Sequence, residues 1–405
     1  MLGAFGDPGH AFPMIALGRA LVARGHDVTL ETWTRWRPHV EAEGMTFAPA
    51  PQFPILPTRE QPLKPYAAVV RSVAQTRPLV AALRPHVVVA DILTLAPALA
   101  AELEGVPVAT LIPHVHPGTP PGFPPYSLGA RLPRTRAGSA LWRALAQPLS
   151  AGLRQGRDEL NEMRRRLGLA PVTRLHGGLS ETLCLVGSFP QLEYPREWPV
   201  GTEPVGPLLW EPAAEDVELP PGEGPLVLVA PSTAQDPEHR LLRAALAGLA
   251  REPVRVLATW NRRLPRDPVP VPANARLVEW VSYSRTMTEA DVVLCHGGHG
   301  TLVRALASSS TPVVCPAGGD MAENAARADW AAVGVRLPWR LLSPTGVRLA
   351  VRRALADRAM RERVGELAAW AHGHDGAARA ALLVEELARR EALRARPAAV
   401  DAGGR

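Results

Sequence analysis

Residues 292–305 are the part of the sequence whose types and spacing most suggest binding chemistry: an apolar run, the turn His-Gly-Gly-His-Gly-Thr, then a helix-like segment. Gly297, Gly298 and Gly300 remove side chains that would keep an anion from the backbone, and Thr301 adds a hydroxyl donor. Open α/β sheets bind phosphate groups where a strand passes through such a turn into a helix. We therefore predict a diphosphate-binding turn. A tight turn with incidental histidines is the alternative, because a lone glycine-rich turn is a weak signal.

Alternating helix-like and strand-like segments surround this turn. We predict strands at 28–31, 87–90, 108–112, 226–230, 254–258, 275–278, 292–295 and 313–315, and a helix from about 237 to 250. Such alternation is typical of parallel sheets with helices on both faces. The segment 187–225 is rich in Pro and Gly, so the predicted domains are 1–200, a linker at 201–224, 225–385, and a terminal helix or tail at 386–405. Only about four residues precede the first turn, which suggests a start further upstream.

Composition excludes several classes of function. The chain has 405 residues and a net charge of +6, but Lys64 is its one lysine and the arginines are dispersed, so we expect no nucleic-acid partner. The three cysteines form no CxxC pair, so we expect neither disulfides nor a zinc site. This use of cysteine fits a reduced, cytoplasmic setting. No apolar run reaches the roughly 20 residues of a membrane span. We expect a monomer or a homodimer.

Three segments together carry a family resemblance: 278–335, which contains the turn; "GDPGHAFPMIALGRALVARGHDV" at 6–28; and "EYPREWPVGTEPVGPLLW" at 193–210. They resemble family 1 glycosyltransferases of the GT-B fold, in the bacterial type that modifies macrolides, polyketides or flavonoids. The resemblance implies two Rossmann-like domains facing each other across a cleft. It also implies inverting transfer, without metal or cofactor, from a UDP- or TDP-sugar to a hydroxyl of a hydrophobic small molecule.

The same resemblance implies the residues of the donor site. Trp280 matches the aromatic residue on which the base stacks, His296 the diphosphate contact, and Asp320 the carboxylate that binds sugar hydroxyls. A core Trp and a helix N-cap Asp are the alternatives. The full predicted set is Ser232, Thr233, Trp280, Val281, His296, Gly298, His299, Gly300, Thr301, Asp320, Met321 and Asn324.

His10 is the catalytic candidate, because it lies in "GDPGHAFP" between the first strand and the first helix. A histidine there can deprotonate an acceptor hydroxyl. The family pattern supplies its orienting partner with an acidic residue after a later strand, which Asp91 matches. A structural histidine, with Asp91 capping the next helix, is the alternative. The sequence contains no DxD pair, which argues against a metal-bridged diphosphate.

The acceptor is expected in the first domain, near 53–66 and 113–142. An apolar pocket there could be lined by Phe53, Tyr66, His114, Phe123 and Trp142, together with Tyr126 and His116. Core packing or a surface loop is an equal alternative for each of these residues.

Three positions depart from the family pattern. Ser282 and Tyr283 replace the usual Pro-Gln, Arg304 stands where a ribose-binding Glu is common, and Met321 replaces a Gln. Fewer polar groups suit a sugar with fewer hydroxyls, because an unmade buried hydrogen bond carries the penalty. A thymidine diphosphate deoxysugar is therefore our hypothesis for the donor.

Other classes of function stay open at this point. Gly3, Gly6 and Gly9 precede a helix, and Glu31 ends the next strand where a ribose-binding acid would lie in an NAD-dependent oxidoreductase. Their spacing is GxxGxxG rather than GxGxxG. A catalytically silent homologue that binds a nucleotide sugar, or a GT-B epimerase, would also fit the sequence.

Overall fold

Two parallel β-sheets with flanking helices form the protein, which confirms the predicted α/β architecture. The structure is a computed structural model that describes residues 1–51, 65–232, 236–262 and 264–395. Within those ranges no helix is both long and apolar enough to cross a membrane.

The first sheet has the strand order β3-β2-β1-β4-β5-β6-β7. Its strands are β1 Leu2–Gly3, β2 Thr29–Thr32, β3 Thr46–Pro49, β4 Val88–Asp91, β5 Val108–Ile112, β6 Cys184–Val186 and β7 Thr202–Pro204. The helices of this half are α1 Pro8–Ala23, α2 Arg37–Ala42, α3 Pro65–Leu83, α4 Leu95–Leu103, α5 Arg136–Leu149 and α6 Ala151–Arg166, with 3₁₀ turns at Thr34–Trp36 and Pro190–Leu192.

The second sheet has the order β10-β9-β8-β11-β12-β13. Its strands are β8 Leu226–Ala230, β9 Arg255–Thr259, β10 Ala275–Val278, β11 Val292–Cys295, β12 Thr311–Val314 and β13 Val335–Arg336. The helices that follow β8 are α7 Arg240–Leu249, α8 Tyr283–Glu289, α9 His299–Ala307, α10 Met321–Trp330, α11 Pro344–Ala356, α12 Arg358–Gly373 and α13 Gly376–Ala395, with a 3₁₀ turn at Trp339–Leu341.

Central strands are buried on both faces, as helix-covered parallel sheets require. Every residue of β8 and β11 is buried, and Val292 pairs with Val227 on one side and Thr311 on the other. The predicted strands at 108–112, 226–230, 275–278 and 292–295 are confirmed to the residue. Three of them are short apolar runs with clear ends, and 275–278, which contains Arg276, lies between Asn274 and Glu279.

One helix begins later than predicted. Helix α7 starts at Arg240 rather than near 237, because the Asp236 carboxylate accepts hydrogen bonds from the N–H groups of Arg240 (3.0 Å) and Leu241 (2.9 Å). His239 precedes the helix with a φ of +53°. An acidic side chain that captures the first free N–H groups in this way fixes where a helix begins.

Two elements differ from the expected domain limits. Strand β7 lies in the segment expected to be linker, and it pairs with β6 as the edge of the first sheet. A three-residue strand beside proline has no periodicity by which to recognise it. Helix α13 crosses the expected limit at 385 and packs on α1, where Glu385 accepts hydrogen bonds from Arg24 (2.5 and 2.8 Å). The end of the described chain thus returns to the first domain.

Candidate active site

The loops after β1, β4 and β5 of the first domain meet the loops after β11 and β12 of the second. The His114 ring, after β5, lies edge-on to the His299 ring at the start of α9, with centroids 6.5 Å apart. The Asp320 carboxylate, at the start of α10, is close enough to His10 to raise the pKa of that histidine. The carboxyl ends of both sheets therefore face one cleft, where ligands of open α/β folds bind.

His10 and Asp91 form a hydrogen-bonded pair, as the sequence predicted for catalysis. The His10 Nδ1–H donates to Asp91 Oδ1 at 2.8 Å, and the Phe5 N–H donates to Oδ2 at 3.2 Å. Asp91 is 1% exposed, whereas the His10 side chain is 17% exposed. Burial lowers the pKa of His10, but the charge and hydrogen bond of Asp91, helped by Asp7 and Asp320, raise it overall. With Nδ1 bonded to Asp91, Nε2 of His10 is the nitrogen left to act as a base.

A second histidine lies beside this pair. The rings of His114 and His10 are edge-on with centroids 6.2 Å apart, and the Tyr126 ring stacks on His114 at 5.7 Å. The Tyr126 hydroxyl is 3.2 Å from His114 Nδ1. Burial lowers the pKa of His114, and repulsion from His10 lowers it further. His114 is therefore less readily protonated than His10, whose pKa is raised.

The glycine-rich turn has the conformation that its sequence suggests. Gly297 has a φ of +91°, which favours glycine, and Gly298 is the N-cap residue of α9. A Cβ on Gly298 would lie 2.5 Å from His296 Nε2. The His296 Nδ1–H points to the Ala230 carbonyl at 3.3 Å, and burial lowers the pKa of His296. Gly300 and Thr301 lie in the first turn of α9. The backbone N–H groups at the start of α9 form an anion-binding arrangement beside His296.

Asn324 supports this turn from helix α10. Its Nδ2–H donates to the Gly297 carbonyl at 2.9 Å, and its Oδ1 lies 3.3 Å from His299 Nδ1. Both side chains are buried, and burial lowers the pKa of His299 to about 3. Asn324 and His299 thus hold the turn and the domain contact, a role that the spacing of the residues alone did not reveal.

Asp320 precedes Met321, the first residue of α10, in the N-cap position. Its backbone is helical (φ −63°, ψ −17°), and its side chain makes no capping hydrogen bond to that helix. This geometry disfavours the N-cap alternative for Asp320. The side chains of Asp320 and Met321 are both half-buried at the start of α10.

The remaining residues of the predicted donor site differ in how far they are buried. Trp280 is half-buried, its ring stacks on Tyr283 at 5.8 Å, and the Arg262 guanidinium lies 4.8 Å from the indole centroid. Val281 is in the core of the second domain, so only its backbone is available to a ligand. Ser232 is buried beside the end of β8. The predicted Thr233 lies outside the described residues.

A linker carboxylate explains two of the three sequence departures, and sequence reasoning missed it. Glu211 Oε1 accepts hydrogen bonds from the hydroxyls of Ser282 (2.7 Å) and Ser284 (2.5 Å), and its Oε2 is 3.8 Å from Arg304 Nε. Arg304 also donates to the Trp210 carbonyl at 2.9 Å. The only sequence signal was a charged residue after Trp210 in a Pro-rich segment.

The predicted acceptor residues are only partly brought together. His114 faces the cleft, and the Phe123 ring lies 6.0 Å from that of Tyr194. Trp142 is half-buried on α5. Phe53 and the side chain of Tyr66 lie outside the described residues.

Glu31, the acid that an NAD-binding alternative would use, is turned into the core. It is 3% exposed and accepts a hydrogen bond from Thr76 at 2.8 Å, and burial raises its pKa to about 7. A buried acid that is already bonded to Thr76 is poorly placed to bind a ribose. Among the described residues, no group of three or more His, Cys, Asp and Glu side chains is arranged to hold a metal ion.

Comparison with known proteins agrees with this geometry. Residues 243–381 match the family described as Erythromycin biosynthesis protein CIII-like, C-terminal domain. The chain is 29% identical over 414 residues to 4'-demethylrebeccamycin synthase of Lentzea aerocolonigenes, covering 94% of this chain and 97% of the relative. It is 28% identical over 425 residues to O-mycaminosyltylonolide 6-deoxyallosyltransferase of Streptomyces fradiae, covering 95% and 96%.

The chain is a glycosyltransferase, similar in sequence and fold to those of natural-product pathways. Its fold is similar to that of the glycosyltransferase VinC, solved in complex with DTDP, with a TM-score of 0.69, 19% identity and coverage of 96% of this chain and 98% of the other. The two halves of this glycosyltransferase are therefore the two Rossmann-like domains of the GT-B fold. The predicted enzyme class, a transferase, is confirmed.

Proposed function

We propose that this glycosyltransferase moves a sugar from a nucleoside diphosphate sugar to a hydroxyl of a hydrophobic small molecule, with inversion at the anomeric carbon. In this reaction His10 Nε2 takes the proton of the acceptor hydroxyl. The acceptor oxygen forms a bond to the anomeric carbon as the bond from that carbon to the diphosphate oxygen breaks. Attack from the face opposite the leaving group inverts the sugar. The observation that carries the proposal is the His10–Asp91 pair across the cleft from the phosphate turn.

On the donor side, the leaving diphosphate is held by the turn and by the start of α9. Free N–H groups and the positive end of the helix dipole stabilise the charge that develops on it. Burial lowers the pKa of His296. With its Nδ1–H directed at the Ala230 carbonyl, Nε2 can donate to the diphosphate only when the ring is protonated, a form that the charge of the anion favours. Asp320 accepts hydrogen bonds from the sugar hydroxyls. We propose that this reaction uses neither a metal ion nor an additional cofactor.

The donor that we propose is a thymidine diphosphate deoxysugar. Two observations support it: a structural neighbour is named as a complex with DTDP, and a relative is named a 6-deoxyallosyltransferase. Within the site, Met321 offers no hydrogen bond to a sugar hydroxyl, and Glu211 is already bonded to Ser282 and Ser284. A nucleoside and a sugar with fewer hydroxyls leave fewer polar groups unpaired in such a pocket.

The acceptor that we propose binds the first domain beside His114, Phe123 and Trp142. Aromatic rings favour an apolar, ring-containing molecule, and His10 requires that it present a hydroxyl. One relative is named a 4'-demethylrebeccamycin synthase and another an O-mycaminosyltylonolide 6-deoxyallosyltransferase. These names support the class of acceptor and leave the individual acceptor open.

A titration of the purified protein with thymidine diphosphate, uridine diphosphate and NAD, read by thermal unfolding and calorimetry, tests the proposal. A ligand that binds the folded state raises its stability by mass action. We expect stabilisation by thymidine diphosphate, weaker stabilisation by uridine diphosphate, and none by NAD. Stabilisation by NAD alone would overturn the proposal. Turnover much faster with UDP-glucose than with any thymidine diphosphate sugar would overturn the choice of donor.

A further inference from the structure

Arg327 is a fully buried cation at the domain interface. Arg327 is 1% exposed and lies in the second turn of α10. Its Nε–H donates to Glu323 Oε1 at 2.8 Å on the same helix. Its Nη1 donates to Glu193 Oε2 at 2.9 Å and to the Leu192 carbonyl at 3.1 Å, both beyond β6 of the first domain. One guanidinium therefore joins the two domains through charge-assisted hydrogen bonds, which are the strong kind.

Aromatic rings seal this ion pair from water. The Arg327 guanidinium lies 3.7 Å from the centroid of the Tyr194 ring. Tyr194 in turn contacts Trp330 edge-on at 5.1 Å and Phe123 at 6.0 Å. A charge pair in such surroundings is screened little by salt, and its geometry is fixed by packing.

The second oxygen of Glu193 reaches toward the catalytic pair. Glu193 Oε1 accepts a hydrogen bond from the His116 N–H at 2.6 Å. His116 is two residues after His114, whose ring contacts that of His10. The carboxylate that binds Arg327 thus also fixes the loop that lies against the proposed base.

The other end of α10 reaches the sugar site. Asp320 precedes the first residue of this helix, and Asn324, on its first turn, holds the phosphate turn. Arg327 is seven residues after Asp320, which is about 10 Å along a helix. A rigid helix transmits a fixed position over this distance, so anchoring Arg327 also sets the place of Asp320.

We propose that Arg327 and Glu193 are a positioning pair that sets the alignment between the sugar-holding Asp320 and the base His10. The inference rests on the proposed function of these two residues. Stability alone is a poor reason for such a pair, because buried ion pairs can often be replaced by apolar residues without loss of stability. Alignment is a stronger reason, since a displacement of about 1 Å between reacting groups can cost about 100-fold in rate.

A charge-neutral variant separates alignment from stability. In Arg327→Met/Glu193→Gln/Glu323→Gln, no buried charge is left unpaired, and the amide that replaces the Glu193 carboxylate can still accept from the His116 N–H. We expect an unfolding temperature close to that of the wild type, a kcat for transfer about 100-fold lower, and a Kd for thymidine diphosphate within about threefold. Released sugar should shift from transfer toward hydrolysis, because water is less demanding of alignment than the acceptor. The matched control is Arg358→Met/Glu362→Gln, an exposed pair on α12 (2.8 Å), which should change none of these values.

A single substitution tests the same proposal if the triple variant does not fold. Glu193→Gln leaves Arg327 paired with Glu323, so it should fold, with a kcat reduced about tenfold and the same shift toward hydrolysis. Wild-type kcat and an unchanged ratio of transfer to hydrolysis in a folded variant would overturn the positioning role. Failure of the proposed function is a different result: the wild-type protein itself would transfer no sugar, or His10→Ala would transfer it at the wild-type rate.

Discussion

His10 and His296 both follow a central strand of their own sheet, β1 for His10 and β11 for His296, but their pKa values move in opposite directions. His10 is paired with Asp91, and its pKa is raised. His296 faces a backbone carbonyl, and burial lowers its pKa. The first domain bonds its histidine to a carboxylate. The second directs its histidine at a backbone carbonyl, and there the charges of Asp320 and Asp236 raise the pKa less than burial lowers it.

This difference separates two tasks. A base that must hold a proton during the reaction benefits from a carboxylate that stabilises the imidazolium. A phosphate site is better built from the backbone N–H groups at a helix start, which bind an anion without a change of protonation. The comparison predicts that changes in the first domain act on the chemical step and changes in the phosphate turn act on binding.

The largest expected effect is that of His10→Ala. Removal of a general base lowers kcat by about 10²- to 10⁴-fold, while the Kd for thymidine diphosphate should stay near that of the wild type. Steady-state kinetics and calorimetry on the same sample measure both quantities. A large loss of nucleotide affinity in this variant would contradict the assignment of the chemical step to the first domain and of donor binding to the second.

Asp91→Asn should lower kcat by about 100-fold and move the pH profile. The pKa of His10 is raised above its ordinary value of 6.5, and the base works only when deprotonated. Wild-type kcat/KM should therefore fall as the pH drops through a pKa above that value. Without the Asp91 charge, burial remains and the acid limb should move to lower pH. If the acid limb of the variant lay at the same pH as that of the wild type, Asp91 would not raise the pKa of His10.

Glu31→Gln should stabilise the first domain at neutral and alkaline pH. The pKa of Glu31 is raised from 4.5 to about 7, so folding favours its protonated form. The stability from this group is fully present below pH 4.5 and is lost as the pH rises toward 7. The variant should gain up to about 3 kcal/mol in the free energy of unfolding above pH 7, and nothing near pH 4. Denaturant unfolding across pH measures this gain, with Asp158→Asn on α6, an exposed carboxylate, as control. A gain independent of pH would contradict the assignment.

The smallest effect is expected for Gly298→Ala. A Cβ there would lie 2.5 Å from His296 Nε2 and displace the ring. The Kd for thymidine diphosphate should rise about tenfold, with less change in kcat at saturating donor. Gly152→Ala on α6, where a Cβ meets nothing within 4 Å, is the control. Unchanged affinity would remove His296 from the phosphate site.

Sequence alone predicted what depends on local pattern. The sequence predicts the buried runs at 226–230 and 292–295 to the residue, because an apolar run followed by proline and polar residues, or by a glycine-rich turn, marks both a strand and its end. His10 was placed by the turn that holds it, and Asp91 by the resemblance. Glu211 and the Arg327–Glu193 pair were not found, because no local rule links residues 93 or 134 positions apart.

The most direct test of the central claim compares acceptors of different acidity in the His10→Ala protein. A phenol that is already ionised at the assay pH needs no base, whereas an alcohol needs one. With wild-type protein as reference, the rate defect of the variant should shrink as the pKa of the acceptor hydroxyl falls. A defect of the same size for all acceptors would contradict the assignment of His10 as the base.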